Sequence, residues 1–192
     1  MSPFLIIAYY TPGNHYEALS ENLKESCKEF NLPLVLKPIQ NLGSWEKNTH
    51  YKAEFIYECL NTYNQNLIYV DVDAVFRKYP ILFEELDCDI AYRTENFKWR
   101  KNEALSGTIF LNNNERVKEA VRRWISINGS KPAVRNIPST WEQANMQKAV
   151  ESYRNVSYYN LPPEYTYIFD HTKRMYPHIE PVIEHFQASR KV

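Results

Sequence analysis

The chain has 192 residues, 44% of them hydrophobic and 24% charged, which is ordinary globular composition and enough apolar surface to close one core. Basic and acidic side chains balance to a formal net charge of zero, so no global field draws the protein to nucleic acid or to an anionic membrane. The three cysteines, Cys27, Cys59 and Cys88, include no C-x-x-C pair, which speaks against a zinc ribbon or a disulfide framework and for buried free thiols in a reducing compartment.

Residues 4–10, FLIIAYY, are nearly all apolar, as in a strand covered on both faces. The run stops at Thr11-Pro12-Gly13 with no basic segment before it, so it reads as a first strand and turn rather than a secretory signal. Leu19, Leu23, Cys27 and Phe30 recur at helical spacing and predict a helix over 16–30. PLVLKPI is a second strand. A polar loop through Gly43 and Trp45 leads to a predicted helix over 50–63, with Phe55, Ile56, Cys59 and Leu60 on one side. The third strand begins at Asn66. This β-α-β-α-β order predicts an α/β fold with a parallel sheet covered by helices.

The second half is mixed. DIAYR reads as a short strand near Asp89, and SGTIFLNNN as a strand bounded by Gly107 and an Asn run. Val117, Ala120, Val121, Trp124 and Ile125 predict a helix over 115–127. Ser139 with Glu142 three residues later is a capping-box pattern that opens another helix. The tail offers short strands and turns. With no linker or repeat, residues 1–192 read as one domain, with a nucleotide-binding half over 1–76 and a second half over 77–192. No apolar run is long enough to span a membrane, and the expected location is cytoplasmic.

The chemistry centres on LIYVDVDAVF, an apolar strand ending on Asp71 and Asp73. If the chain stays extended, both carboxylates point one way, at the strand edge where open α/β sheets bind ligands. Two hard oxygen ligands favour Mg²⁺ or Mn²⁺. The plain alternative is a strand terminus making Asx turns. A dehalogenase-like phosphotransferase opens on the same pattern, and Val75 fits it, but no later acidic pair follows. Translesion polymerases share the motif in far longer, basic chains.

Six segments in order carry a resemblance that spans most of the chain. IAYYTPGNHY looks like a donor-nucleotide strand and turn, HYKAEFIYECL like the helix before a D-x-D segment, and LIYVDVDAVF like the D-x-D segment itself. ALSGTIFLNNN looks like the strand facing sugar and acceptor. TWEQANMQKAV looks like a D/E-Q helix start, and IEHFQASR like a C-terminal His segment. Together they resemble GT-A-type glycosyltransferases, nucleotide-diphospho-sugar transferases distantly similar to glycogenin.

The resemblance implies a single GT-A (Rossmann-like) domain that moves a sugar from a nucleotide-diphosphate donor, a UDP-sugar by preference, with retention. It implies Mn²⁺ or Mg²⁺ held by Asp71, Asp73 and His185. Donor contacts would come from Tyr9, Tyr10, Thr11, Lys52, Asp71, Ser106, Gly107, Gln187, Ser189 and Arg190. The tail departs from the glycogenin-like His-x-x-Gly-x-x-Lys pattern at Ser189 and Arg190. Glu142 and Gln143 would act at the reaction centre, Glu142 as base if the reaction inverts and Gln143 beside the anomeric carbon if it retains. Plainer roles exist for each: Glu142 as a helix cap, Lys52 as solvated helix surface, Gly107 as an ordinary turn and His185 as a core residue. A fold that binds a nucleotide sugar without turnover is the non-enzymatic alternative. The acceptor stays open between a lipid-linked saccharide, a protein, a small glycoside and a modified nucleobase, in a bacterial or viral host cytoplasm. In YRTENFKWRKNEAL, Arg93, Lys98, Arg100 and Lys101 alternate with Phe97 and Trp99, reading as a loop that orders over the donor or as a grip on a polyanion.

Overall fold

The computed structural model describes residues 3–98, 100–130, 134, 137 and 140–187. Strand β1 (Phe4–Tyr10) sends Phe4, Ile6 and Ala8 to one side and Leu5 and Ile7 to the other, and all five are buried. The period of two fixes both faces at once. Helix α1 (His15–Glu29) is capped by Asn14, whose side chain accepts from the Tyr16 N–H, and lays Leu23 and Cys27 on the Phe4 face. After β2 (Leu34–Pro38), helix α2 (Trp45–Thr62) covers the Leu5 face with Ala53, Phe55, Ile56 and Leu60. It starts earlier than its apolar spacing predicts, because the Ser44 hydroxyl caps the Lys47 N–H at 3.2 Å. Strand β3 (Asn66–Val70) then lies on the other side of β1 from β2, parallel to it.

Strand β4 (Ala74–Phe76) and helix α3 (Leu82–Glu85) lead to β5 (Ile90–Phe97) and β6 (Arg100–Leu111). The six-stranded sheet runs β2-β1-β3-β6-β5-β7, where β7 is Tyr158–Asn160. β6 is antiparallel to both β3 and β5, while β7 is parallel to β5, so five strands share one direction and β6 opposes them. Helices α4 (Glu115–Ser130) and α5 (Glu142–Ser152) complete the Leu5 side through Val117, Val121, Trp124, Met146 and Ala149. On the Phe4 side, β4, β8 (Tyr167–Ile168) and β9 (Ile183–His185) form a second sheet in the order β4-β9-β8, preceded by a 3-10 turn (Pro163–Thr166). Helix α6 (His171–Met175) joins β8 to β9. No described helix is long and apolar enough to cross a membrane.

Three expectations change. β6 begins at Arg100, so Gly107 stands inside a strand rather than at its turn. The tract over 93–101, read as a loop, is the closing half of the β5–β6 hairpin, with Phe97 paired to Arg100; Trp99 lies outside the described residues. Arg93 is buried, its guanidinium on Glu95 at 2.5 Å and on the Leu161 carbonyl, and it is withdrawn from any polyanion. Helix α5 starts on Trp141 with no side-chain cap, so Glu142 does not serve as the capping-box acid; Ser139 lies outside the described residues.

Candidate active site

The chain leaves β1 toward β2 and returns to β3 on β1's opposite side, which opens a crevice at the carboxyl ends of β1 and β3. Thr11 follows β1 there and Asp71 follows β3. The antiparallel β6 crosses the same edge at Ser106 and Gly107, and the Asp71 N–H donates to the Gly107 carbonyl at 2.9 Å. A cleft of about 550 Å³ occupies this edge. Tyr9, Tyr10, Thr11, Lys52, Asp71 and Asp73 line it, as do Ser106, Gly107, Glu142, Gln143, His185 and Gln187. Gln187 has a positive φ of 52°. Ser189 and Arg190 lie outside the described residues.

Lys52 points inward from α2, not to solvent, and is only 2% exposed. Its ammonium donates to Glu142 Oε1 at 2.8 Å and to the Ser106 hydroxyl and carbonyl at 3.0 and 3.1 Å. It also pairs with Asp71 Oδ1 at 3.1 Å and lies 4.9 Å from the centre of the Tyr69 ring. Burial pulls the Lys52 pKa down, but the charges of Asp71 and Glu142 outweigh it and the net direction is up. The Ser106 hydroxyl donates to Glu142 Oε1 at 2.6 Å, and the Glu142 carbonyl accepts from the Trp124 indole at 3.0 Å. Glu142 Oε2 is buried with no hydrogen-bond partner among the described residues.

Asp71 and Asp73 are not in extended chain. The Ala74 N–H donates to the Asp71 carbonyl at 2.9 Å, so Asp71 opens a turn that contains Asp73. Asp71 Oδ1 accepts from the Tyr69 hydroxyl at 2.8 Å. The pairing of β4 with β9 sets Ala74 opposite His185 and brings His185 Nδ1 to 3.6 Å from Asp73 Oδ1. The other ring nitrogen, Nε2, meets the Thr108 hydroxyl at 2.8 Å. A Cβ on Gly107 would stand 3.1 Å from His185 Cε1, 3.3 Å from Nδ1 and 3.4 Å from Asp71 Oδ2. The glycine therefore keeps open a space between Asp71 and the imidazole.

These residues fit a divalent ion in two respects. Two atoms bound to one ion at about 2.1 Å stand about 3.0 to 4.2 Å apart, which spans the Asp73–His185 distance. If Nε2–H donates to Thr108, the Nδ1 lone pair faces Asp73, the arrangement that orients a ligating histidine. Among the described residues no three His, Cys, Asp or Glu side chains are closed into a metal cluster, because Asp71 turns one oxygen to Lys52 and Tyr69.

Sequence reading missed Tyr69 and Thr108. The first sits two residues before Asp71 on the same strand face, and the second follows Gly107, so period-two counting from the motif finds the tyrosine. It also missed Tyr16, Trp45, Glu103 and Trp141, which line the cleft from separate elements and have no local signature; Arg100, singled out in the basic tract, lines it too. Tyr9, expected against the base, lines the cleft while packing on Tyr51 and Phe55 and donating to the Asn48 carbonyl at 2.7 Å. Burial, then the charges of Asp71 and Glu142, raise its pKa well above the usual phenol value. Tyr10 and Tyr16 are left facing the cleft.

The fold is that of glycosyltransferases. The chain superposes on the glycosyltransferase involved in glycosylation of the major capsid of PBCV-1 with a TM-score of 0.72 and 14% identity, covering 97% of this chain and 94% of that one. It also matches GlyE of Streptococcus pneumoniae TIGR4 (TM-score 0.65, 16% identity, 95% of this chain and 54% of that one). The bifunctional glycosyltransferase WbbM gives 0.63 at 11% identity, over 97% of this chain and 46% of that one. The chain thus spans about half the length of the last two. No protein-family model and no curated protein sequence matches it.

Proposed function

We propose that the chain is a glycosyltransferase that moves a sugar from a nucleotide-diphosphate donor, with UDP the preferred nucleotide and a divalent cation, Mn²⁺ before Mg²⁺, at Asp73, His185 and Asp71. The observation that carries this reading is His185, 3.6 Å from Asp73 and facing Asp71 across the Cβ-free side of Gly107, at the carboxyl edge of a sheet with a glycosyltransferase fold. The fold turns the reading away from the dehalogenase-like alternative. An imidazole in the ligand set favours Mn²⁺ over Mg²⁺. When bound, the cation neutralises charge that builds on the departing diphosphate.

The chain's own residues do the rest. Thr11 and the end of β1 meet the nucleoside, with Tyr10 and Tyr16 offering ring faces for the base. Lys52 is held by Glu142 and Ser106 so that its charge faces the same side of the cleft as Asp71, a fixed cation beside the developing negative charge. Glu142 Oε1 is occupied by Lys52 and Ser106, and Oε2 is shut from solvent, so Glu142 positions Lys52 rather than taking the acceptor's proton. That favours retention, with Gln143 beside the anomeric carbon. Transfer or hydrolysis of UDP-sugars with Mn²⁺ present is the test, read as UDP release, with Asp73→Ala expected to abolish it. A protein that neither binds nor cleaves any nucleotide sugar, and whose nucleotide affinity is untouched by Asp73→Ala, would overturn the reading.

A further inference from the structure

A second wall of the cleft carries Trp45, Arg100, Glu103, Trp141 and Gln143. Trp45, in the first turn of α2, meets Trp141, at the N-terminus of α5, edge to face with ring centres 6.2 Å apart. Arg100 lies over the Trp141 ring at 5.4 Å and over Phe97 at 5.5 Å. Its guanidinium donates to Glu103 Oε1 at 2.7 Å, and the Gln143 amide donates to the same oxygen at 2.6 Å. Glu103 Oε2 is buried without a hydrogen-bond partner among the described residues. Burial raises the Glu103 pKa against the opposing pull of Arg100 and Gln143. Gln143 follows Glu142, so this wall adjoins the Lys52 cluster directly.

The wall pairs flat aromatic surface with a strip of donors and acceptors. A pyranose presents a face of C–H groups and an edge of hydroxyls, each of which both donates and accepts. An indole face suits the first. A guanidinium and an amide, both anchored on Glu103 Oε1, suit the second. A polyanion would ask for uncompensated positive charge, but Arg100 is balanced by Glu103 and Arg93 is buried on Glu95.

We infer that the acceptor is a saccharide whose ring lies on Trp141, with Arg100 and Gln143, held by Glu103, meeting its hydroxyls. This rests on the nucleotide-sugar reading of the inner cleft. The test supplies UDP-glucose and UDP-galactose with Mn²⁺ and measures UDP release alone, then with methyl glycosides of glucose, galactose, mannose and N-acetylglucosamine. A Ser/Thr peptide and a single-stranded oligonucleotide form the competing arms. One or more of the glycosides should speed UDP release and become glycosylated. Trp141→Ala should raise the KM for that glycoside about tenfold, a factor worth about 1.4 kcal/mol. kcat should change much less, and Trp141→Phe should restore most of the affinity. Arg100→Ala should raise the same KM and serves if Trp141→Ala does not fold. Donor cleavage accelerated by peptide or oligonucleotide but by no glycoside would overturn the inference and leave the donor reading standing. A glycoside KM unmoved in both variants would also overturn it. Absence of any donor binding or cleavage would remove the donor reading first and this inference with it.

Discussion

Replacing Lys52 with methionine keeps the length of the side chain and deletes its charge. Glu142 Oε1 at 2.8 Å and Asp71 Oδ1 at 3.1 Å then lose their counter-ion. The two carboxylates are not equal: the Glu142 side chain is 9% exposed and that of Asp71 41%. At an effective dielectric of 20 the gross attraction at the shorter distance is about 6 kcal/mol. Desolvation of the ions takes much of that back, yet removing one partner of a buried pair still costs about 3–5 kcal/mol. Asp71, partly in water, adds about 1 kcal/mol at most. Lys52→Met is therefore expected to lose about 3–5 kcal/mol in urea unfolding followed by far-UV circular dichroism. Lys52→Met combined with Glu142→Gln should recover about 2 kcal/mol of that loss, because no orphan charge remains. The folded pKa of Lys52 lies above its unfolded value, so its contribution is complete below that unfolded value, about 10.4, and is lost as pH rises through the folded one. The gap between wild type and Lys52→Met should accordingly stay level from neutrality to about pH 10. A loss under about 1 kcal/mol, or a double variant that merely sums the singles, would refute the reasoning.

Gly107→Ala places its Cβ against His185 and Asp71 without violating backbone geometry, so its damage should be local. Mn²⁺ affinity in a calorimetric titration should fall about tenfold, as when a supporting contact of a metal site is disturbed, with the unfolding midpoint little changed. Asp89 accepts from Arg116, Asn114 and both the N–H and hydroxyl of Ser157, tying β5 to α4 and β7. Burial pushes its pKa up, but those donors outweigh it and hold it well below the usual carboxylate range. Its contribution is thus present above the unfolded value, about 3.9, and lost as pH falls through the folded one. Asp89→Asn should cost about 2–3 kcal/mol at pH 7, with the gap closing in acid; an equal gap at pH 7 and pH 2 would contradict this. Burial pushes the thiols of Cys27 and Cys59 up to about 12, and that of Cys88 to about 11. Native protein at pH 8 should react slowly with a disulfide reagent and all three thiols promptly in urea; fast native labelling of Cys27 or Cys59 would contradict their burial.

Much of the front half was legible because its signals are local. The alternation in FLIIAYY and NLIYV, the helical spacing of Leu23 and Cys27, and the strand-helix order each depend on residues a few positions apart. The cleft's acidic motif could be found the same way, since a strand that ends on two carboxylates is unusual at any depth of burial. The Lys52 cluster was named residue by residue from a resemblance, yet its wiring was not. Nothing near Glu142 in sequence says that its carboxylate faces Lys52 rather than its own helix terminus.

The sequence by itself determined the elements, their faces and the chemical types gathered at the edge: acids after β3, a lysine on α2, an imidazole near the far end. Tertiary structure alone decided how they meet. The opposed direction of β6 set Gly107 beside Asp71, and the β4–β9 register set His185 beside Asp73. The indoles of Trp45 and Trp141 came together from two helices. Local pattern states what each segment buries, whereas register, strand direction and long-range pairing emerge from packing both faces of one sheet together, and a slip of one residue in β9 would turn the histidine away.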